Sequence, residues 1–118
     1  MKHHSNPRKL GRVRKQRTAL LRGLARSLII HENIETTLAK AKELKPYIER
    51  LVTRSKNDTV ANRRHVASVL GIESAEGKKL FTEIGPRFTE RSGGYTRVVR
   101  SRIRSGDAAT MATISFVE

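Results

Sequence analysis

The sequence predicts a two-layer α+β fold in the order helix, strand, three helices, two strands. A small three-stranded mixed sheet is covered by helices, and a basic arm precedes it. Three observations carry this. Leucine, isoleucine and valine recur at spacings of three and four in stretches between residues 12 and 84, which is helical periodicity. Beyond Ser92-Gly93-Gly94 the pattern changes to alternation at period two, as in strands. Residues 1–11 hold almost nothing that packs. The 118 residues, 36% of them apolar, suffice for one small core. The division is therefore an arm, 1–11, and a single α+β domain, 12–118.

The arm contains Lys2, His3, His4, Pro7, Arg8 and Lys9; such composition stays mobile until a polyanion orders it. Residues 12–31 form a helix, because Leu20, Leu24 and Leu28, flanked by Leu21, Ala25 and Ile29, make one stripe. Lys15, Arg22 and Arg26 fall on roughly the opposite side, while Arg17 lies among the leucines, so it either snorkels or lies beyond the core contact. Residues 33–37 are short and β-branched, hence a strand, and Thr37 is placed to cap the next helix. That helix, 38–55, turns Ala41, Leu44, Ile48, Leu51 and Val52 inward, with Pro46 on its outer face.

Asp58 is the expected N-cap of a helix over 59–70, with Val66, Val69 and Leu70 inward and Gly71 as its stop. Ser74 begins a fourth helix with Leu80, Phe81 and Ile84 as its apolar face, and Gly85-Pro86 ends it. Tyr95 to Ile103 then alternates, with Tyr95, Val99 and Ile103 on one side and Arg100, Arg102 and Arg104 towards the other. A loop over 105–109 returns the chain through Met111 to Val117, with Ala112, Ile114 and Phe116 inward. A lone two-stranded ribbon is marginal, so residues 33–37 are expected to join it.

Charge sets the function class. Lys and Arg number 25 against 11 Asp and Glu, a net charge of +14. Residues 1–30 carry nine basic side chains and no acid, whereas residues 31–90 are nearly balanced. The excess returns in residues 91–118 as five arginines against two acids. Such a distribution calls for a polyanion, and the bias to arginine at both ends favours phosphate, which guanidinium binds bidentately. The first candidates for phosphate contact are Lys2, Arg8, Lys9, Arg12, Arg14, Lys15, Arg17, Arg22 and Arg26, with Arg97, Arg100, Arg102 and Arg104 from the ribbon. Arg63, Arg64, Arg87 and Arg91 are second choices. Arg63 and Arg64 point about 100° apart on a helix, so a solvated face competes with phosphate contact there. The paired glycines at 93 and 94 allow either a sharp turn or close approach to phosphate. Tyr95 reads as core rather than as a base-stacking ring.

Other chemistries find little footing. With no cysteine there is neither a disulfide nor a thiolate. No histidine shares a zinc-ligand spacing with another and a carboxylate, and no Gly-x-Ser-x-Gly or phosphate-cradling glycine loop occurs. No metal, cofactor or small-molecule substrate is expected, nor a membrane span. With five aromatics there is no ladder for stacking successive bases, so backbone and shape recognition of folded RNA fits best. Two rival classes share parts of the pattern: a DNA-architectural protein, which favours a symmetric dimer, and a nuclease or RNA-modifying enzyme, which needs a polar pocket.

Four runs then stand in register: Ile34-Glu35-Thr36-Thr37-Leu38-Ala39-Lys40-Ala41-Lys42-Glu43-Leu44, Val60-Ala61-Asn62-Arg63-Arg64, Leu80-Phe81-Thr82-Glu83-Ile84-Gly85-Pro86-Arg87, and Gly93-Gly94-Tyr95-Thr96-Arg97. In order and spacing, across nearly the whole chain, they resemble the bacterial large-subunit ribosomal protein seventeen family. Gly11-Arg12 and Gln16-Arg17 stand where that family usually has Asn-Arg and His-Arg pairs. The resemblance implies the same α+β order of elements. It also implies a structural, non-catalytic, ribosomal-RNA-binding role in the large subunit of the cytoplasmic ribosome, near the peptide exit tunnel. Large-subunit proteins twenty-two and thirty-two are the implied neighbours.

Overall fold

The computed structural model describes residues 13–71 and 75–117. The arm, with Lys2, Arg8 and Lys9, and also Arg12, lies outside the described residues. The first helix, α1, runs Arg14–His31 and buries Leu21, Ala25, Leu28 and Ile29. It stops at Glu32, which takes the left-handed conformation (φ 64°) and donates its N–H to the Leu28 carbonyl at 2.7 Å. Such a φ is uncommon for a residue with a Cβ. Glu32 is held there by Lys79 and Arg87 on its carboxylate and by the Phe116 N–H on its carbonyl.

Strand β1, Asn33–Thr37, and helix α2, Leu38–Ser55, have the expected bounds. Thr37 occupies the N-cap position of α2, but its side chain makes no capping bond. It is also the last residue of β1, paired with Met111, and the sheet sets its direction. Helix α3, Val60–Leu70, is capped by Thr59, whose hydroxyl accepts from the Asn62 N–H at 3.2 Å. Asp58, the expected cap, lies one residue too early for that geometry and pairs with Arg63. Gly71, at φ 113°, ends α3 as its position predicts.

The expected start of the fourth helix, Ser74, lies outside the described residues. Helix α4, Ala75–Lys79, continues through a π-helical segment, Leu80–Ile84, into a last turn, α5, Gly85–Arg87. The expectation that Gly85-Pro86 stops the helix is corrected. Pro86 opens the terminal turn, where a missing N–H costs little, and the Phe88 N–H closes that turn on the Gly85 carbonyl at 3.1 Å. Gly85 is required by contact rather than by conformation: a Cβ there would lie 2.5 Å from the Ser55 carbonyl oxygen.

Strands β2, Thr96–Ile103, and β3, Thr110–Phe116, form the hairpin. Residues 33–37 join it as expected, in the order β1-β3-β2. The sheet is antiparallel throughout rather than mixed. Strands β1 and β2 do run in the same direction, but β3 lies between them and they never pair. Thr36 and Ile34 of β1 sit opposite Ala112 and Ile114, and Val98 and Thr96 of β2 sit opposite Ile114 and Phe116. That face meets α2. A bulge between Arg100 and Arg102 shifts the register.

The expected apolar side of β2 is therefore wrong beyond Tyr95. Val99 and Ile103 are exposed, at 53% and 68%, because Val99 shares the outer face with Arg97 and Ile103 lies past the bulge. Tyr95 precedes the strand and is buried, with its ring 5.2 Å from Phe88. One core joins the helices to the sheet, centred on Leu28, Leu44, Ile48, Val52, Leu80, Ile84 and Ile114.

Candidate nucleic-acid interface

The predicted cations separate into two groups according to what their side chains already hold. Several are committed within the fold. Arg22 Nε donates to the Val69 carbonyl at 2.7 Å, tying α1 to α3. Arg26 pairs with the buried Glu76 at 3.3 Å, tying α1 to α4. Arg63 holds Asp58 with two bonds, one of 2.8 Å. Arg87 holds Glu32. Arg102 reaches across the sheet to Glu35 at 3.0 Å, and Arg104 grips Asp107 in its own loop at 2.7 Å. These bonds lower the carboxylate pKa values: Arg87 lowers that of Glu32, Arg102 that of Glu35, and Arg63 that of Asp58. Arg104 brings Asp107 down to about 2.

Arg14, Lys15, Arg17, Arg64, Arg91, Arg97 and Arg100 form the second group. None of their side chains makes an ion pair with a described carboxylate. All are exposed except Arg17, which is half-buried as its helical angle predicts. Five of them gather in two places, leaving Arg64 on α3 and Arg100 on β2 apart. The first turn of α1 holds Arg14, Lys15 and Arg17 with no acid and no side-chain cap. Cations at a helix N-terminus oppose the macrodipole, so this arrangement costs stability until an anion arrives.

Beside that turn, α1 and α2 enclose a hollow of about 620 Å³ lined by Arg14, Arg17, Glu43, Tyr47 and Arg50, among others. Burial raises the pKa of the half-buried Tyr47 phenol, against the pull of Arg22 and Arg50. The second gathering is at the root of the ribbon. Arg91 and Arg97 flank a polar depression of about 400 Å³ that also involves Ser115. The loop carrying Arg91 is fixed from the C-cap of α2: Lys56 Nζ donates to the Arg91 carbonyl at 2.6 Å and to the Tyr95 hydroxyl at 3.1 Å.

Arg50 is absent from the residues selected by sequence, as are Tyr47 and Arg54. The charge windows conceal them, because residues 31–60 are nearly neutral in sum. Helical spacing would have exposed them: positions 47, 50 and 54 follow at three and four, beside the apolar face of α2.

Among the described residues no three His, Asp or Glu side chains converge as metal ligands, and no helix is long and apolar enough to cross a membrane. The geometry presents separated basic patches around a packed core, suited to contact with several phosphate groups at once.

Comparison with known proteins identifies a family. A family model described as ribosomal protein L17 matches residues 20–117. The chain is 50% identical over 120 residues to a protein of Nautilia profundicola named large ribosomal subunit protein bL17, covering 99% of this chain and 98% of that one. It is 51% identical over 118 residues to the protein of the same name from Sulfurimonas denitrificans, covering 99% of this chain and all of the relative. It is 52% identical to that of Campylobacter lari over 118 residues, covering 99% of each chain.

Proposed function

The chain belongs to the ribosomal protein L17 family, and we propose on that premise how a structural, non-enzymatic constituent of the large ribosomal subunit does its work. It binds and bridges ribosomal RNA by phosphate contact and shape. The observation that supports this most directly is the sorting of the cations. Arg14, Lys15 and Arg17 in the first turn of α1, and Arg91 and Arg97 at the root of the ribbon, make no ion pair with a described carboxylate. A rigid core that holds two such patches apart can join two RNA segments. The arm, residues 1–11, adds Lys2, Arg8 and Lys9 to the α1 patch, with Arg12 directly after it. Residues 12–118 act as one RNA-binding domain.

Arg64 and Arg100 extend the surface, and Arg50 joins it from α2. Arg22, Arg26, Arg63, Arg87, Arg102 and Arg104 contribute mainly by holding the patches in place. The family resemblance supports a position near the peptide exit tunnel, with large-subunit proteins twenty-two and thirty-two as neighbours.

The test is salt dependence. Each phosphate contact contributes about 0.7–0.9 to the slope of log K against log salt. Replacing Arg14, Arg17 and Arg97 together with alanine should flatten the slope for large-subunit rRNA by about 2–3. The triple variant should also leave the large subunit at lower salt in gradient sedimentation. An unchanged slope would remove these patches from the interface.

A further inference from the structure

A second groove adjoins the hollow beside the α1 patch, sharing Pro46 and Arg50 with it. It has a volume of about 620 Å³ and runs between α2 and the glycine turn that leads into β2. Its surface is mainly apolar by area, and Pro46, Gly93 and the buried Tyr95 are among the residues that line it. Arg50 and Arg54 stand along it one helical turn apart. Neither makes an ion pair with a described carboxylate, and Arg54 has only a 3.4 Å bond to Asn62.

Glu49 also lines this groove. Its Oε2 accepts from Lys45 Nζ at 3.2 Å, from the Thr96 N–H at 3.2 Å and from the Thr96 hydroxyl at 3.0 Å. Its Oε1 has no hydrogen-bond donor among the described residues. No buried side-chain oxygen or nitrogen there lacks a partner, so Oε1 is open to solvent. A carboxylate oxygen repels phosphate and accepts from N–H. The apolar walls gain nothing from a phosphate but do gain from the face of a base.

Taking the rRNA-binding reading as its basis, we infer that this groove receives an unpaired nucleotide, its base between Pro46 and Gly93, its phosphates on Arg50 and Arg54, and an amino group of the base on Glu49. A duplex does not fit, because its bases are stacked inside and it presents phosphate and sugar to such a hollow. Adenine, cytosine and guanine carry an amino donor. Uracil places carbonyl oxygens beside its single N–H, and these oppose the carboxylate. Gly93 has φ 123° and no atom within 4 Å of where a Cβ would stand; the open space there widens the mouth.

The experiment uses the full chain and four RNA probes at one low salt concentration: oligo(A), oligo(C), oligo(U), each of six nucleotides, and a short duplex. Binding is read from amide chemical shifts. Oligo(A) and oligo(C) should bind about tenfold more tightly than oligo(U), the discrimination expected of one charge-assisted hydrogen bond. They should move the amides of Thr53 and Gly93. Glu49→Gln should narrow the difference; if that variant loses the fold through its Thr96 bonds, the exposed pair Arg50→Ala and Arg54→Ala serves instead. The double variant should abolish the Thr53 and Gly93 shifts while leaving the circular dichroism spectrum unchanged.

Equal binding of all three single strands, or shifts confined to Arg14–Thr18, would overturn the inference. That failure is distinct from failure of the rRNA-binding reading, which would show as loss of the wild-type salt slope on large-subunit rRNA itself.

Discussion

Arg22 and Arg97 show how one residue type divides its labour. Both are arginines in strongly basic surroundings, and sequence selects both for phosphate. Arg22 is half-buried and bonded to the Val69 carbonyl at 2.7 Å. Arg97 is exposed, opposite Ser115 on the outer face of the sheet, with no described carboxylate beside it. Arg22→Ala should therefore lower the unfolding free energy by about 1 kcal/mol, the usual net value of such a bond. It should leave the salt slope of RNA binding nearly intact. Arg97→Ala should do the opposite, flattening the slope by about one phosphate contact with a stability change within about 0.5 kcal/mol. Urea unfolding and a salt titration on the same two proteins check both. If Arg22→Ala flattened the slope as much as Arg97→Ala, its bond to Val69 would be incidental to its role.

At the scale of elements, α2 organises the molecule. It covers the sheet, flanks α1 and α3, and touches the turn at Gly85. The contact at Gly85 is unyielding, because the nearest atom to an added Cβ is the Ser55 backbone oxygen at 2.5 Å. Gly85→Ala should destabilise by about 1–3 kcal/mol through overpacking, seen as a lower urea midpoint with an unchanged m-value. No loss of midpoint would mean that α5 slides freely over α2.

The elements themselves were legible because their periods are clean: residues 33–37 and 38–55 are bounded as read. What escaped was local competition. Asp58 and Thr59 both cap well, and only the bond from the Asn62 N–H decides between them. Val99 and Ile103 alternate correctly, but the bulge after Arg100 and the path of the hairpin decide which face is inside. The cations were legible in the sequence and their pairing within the fold was not. Arg102 meets Glu35 from 67 residues away in sequence, and no spacing rule reports that.

For the whole molecule, the same ion pairs make stability depend on pH in a definite direction. Glu32, Glu35, Asp58 and Asp107 all have folded pKa values below their ordinary ones. Each contribution is fully present above the unfolded value, near 4, and is lost as pH falls through the folded value, which for Asp107 is about 2. The melting temperature should hold steady from neutral pH to about 5 and then decline below about 4. The net charge of +14 rises further over the same range, and self-repulsion adds to the decline. Thermal scans at several pH values, repeated in added salt, measure this. A melting temperature rising below pH 4 would contradict the assignment of these pairs as stabilising.

The sheet order has a consequence for how the protein is made. Strand β3 leaves a ribosome after β1 and β2, yet it stands in the middle, between them. Neither outer strand has another strand to pair with until residues 110–116 emerge. Domains tend to fold as units as the chain is extended at about 5–20 residues per second. Here the helices can gather early, but the sheet closes only once residues 110–116 have emerged. A chain released before Thr110 would carry its cations on an incomplete fold, with both outer strands exposed to proteases. The order of strands thus makes both outer strands wait for β3 before the sheet can form.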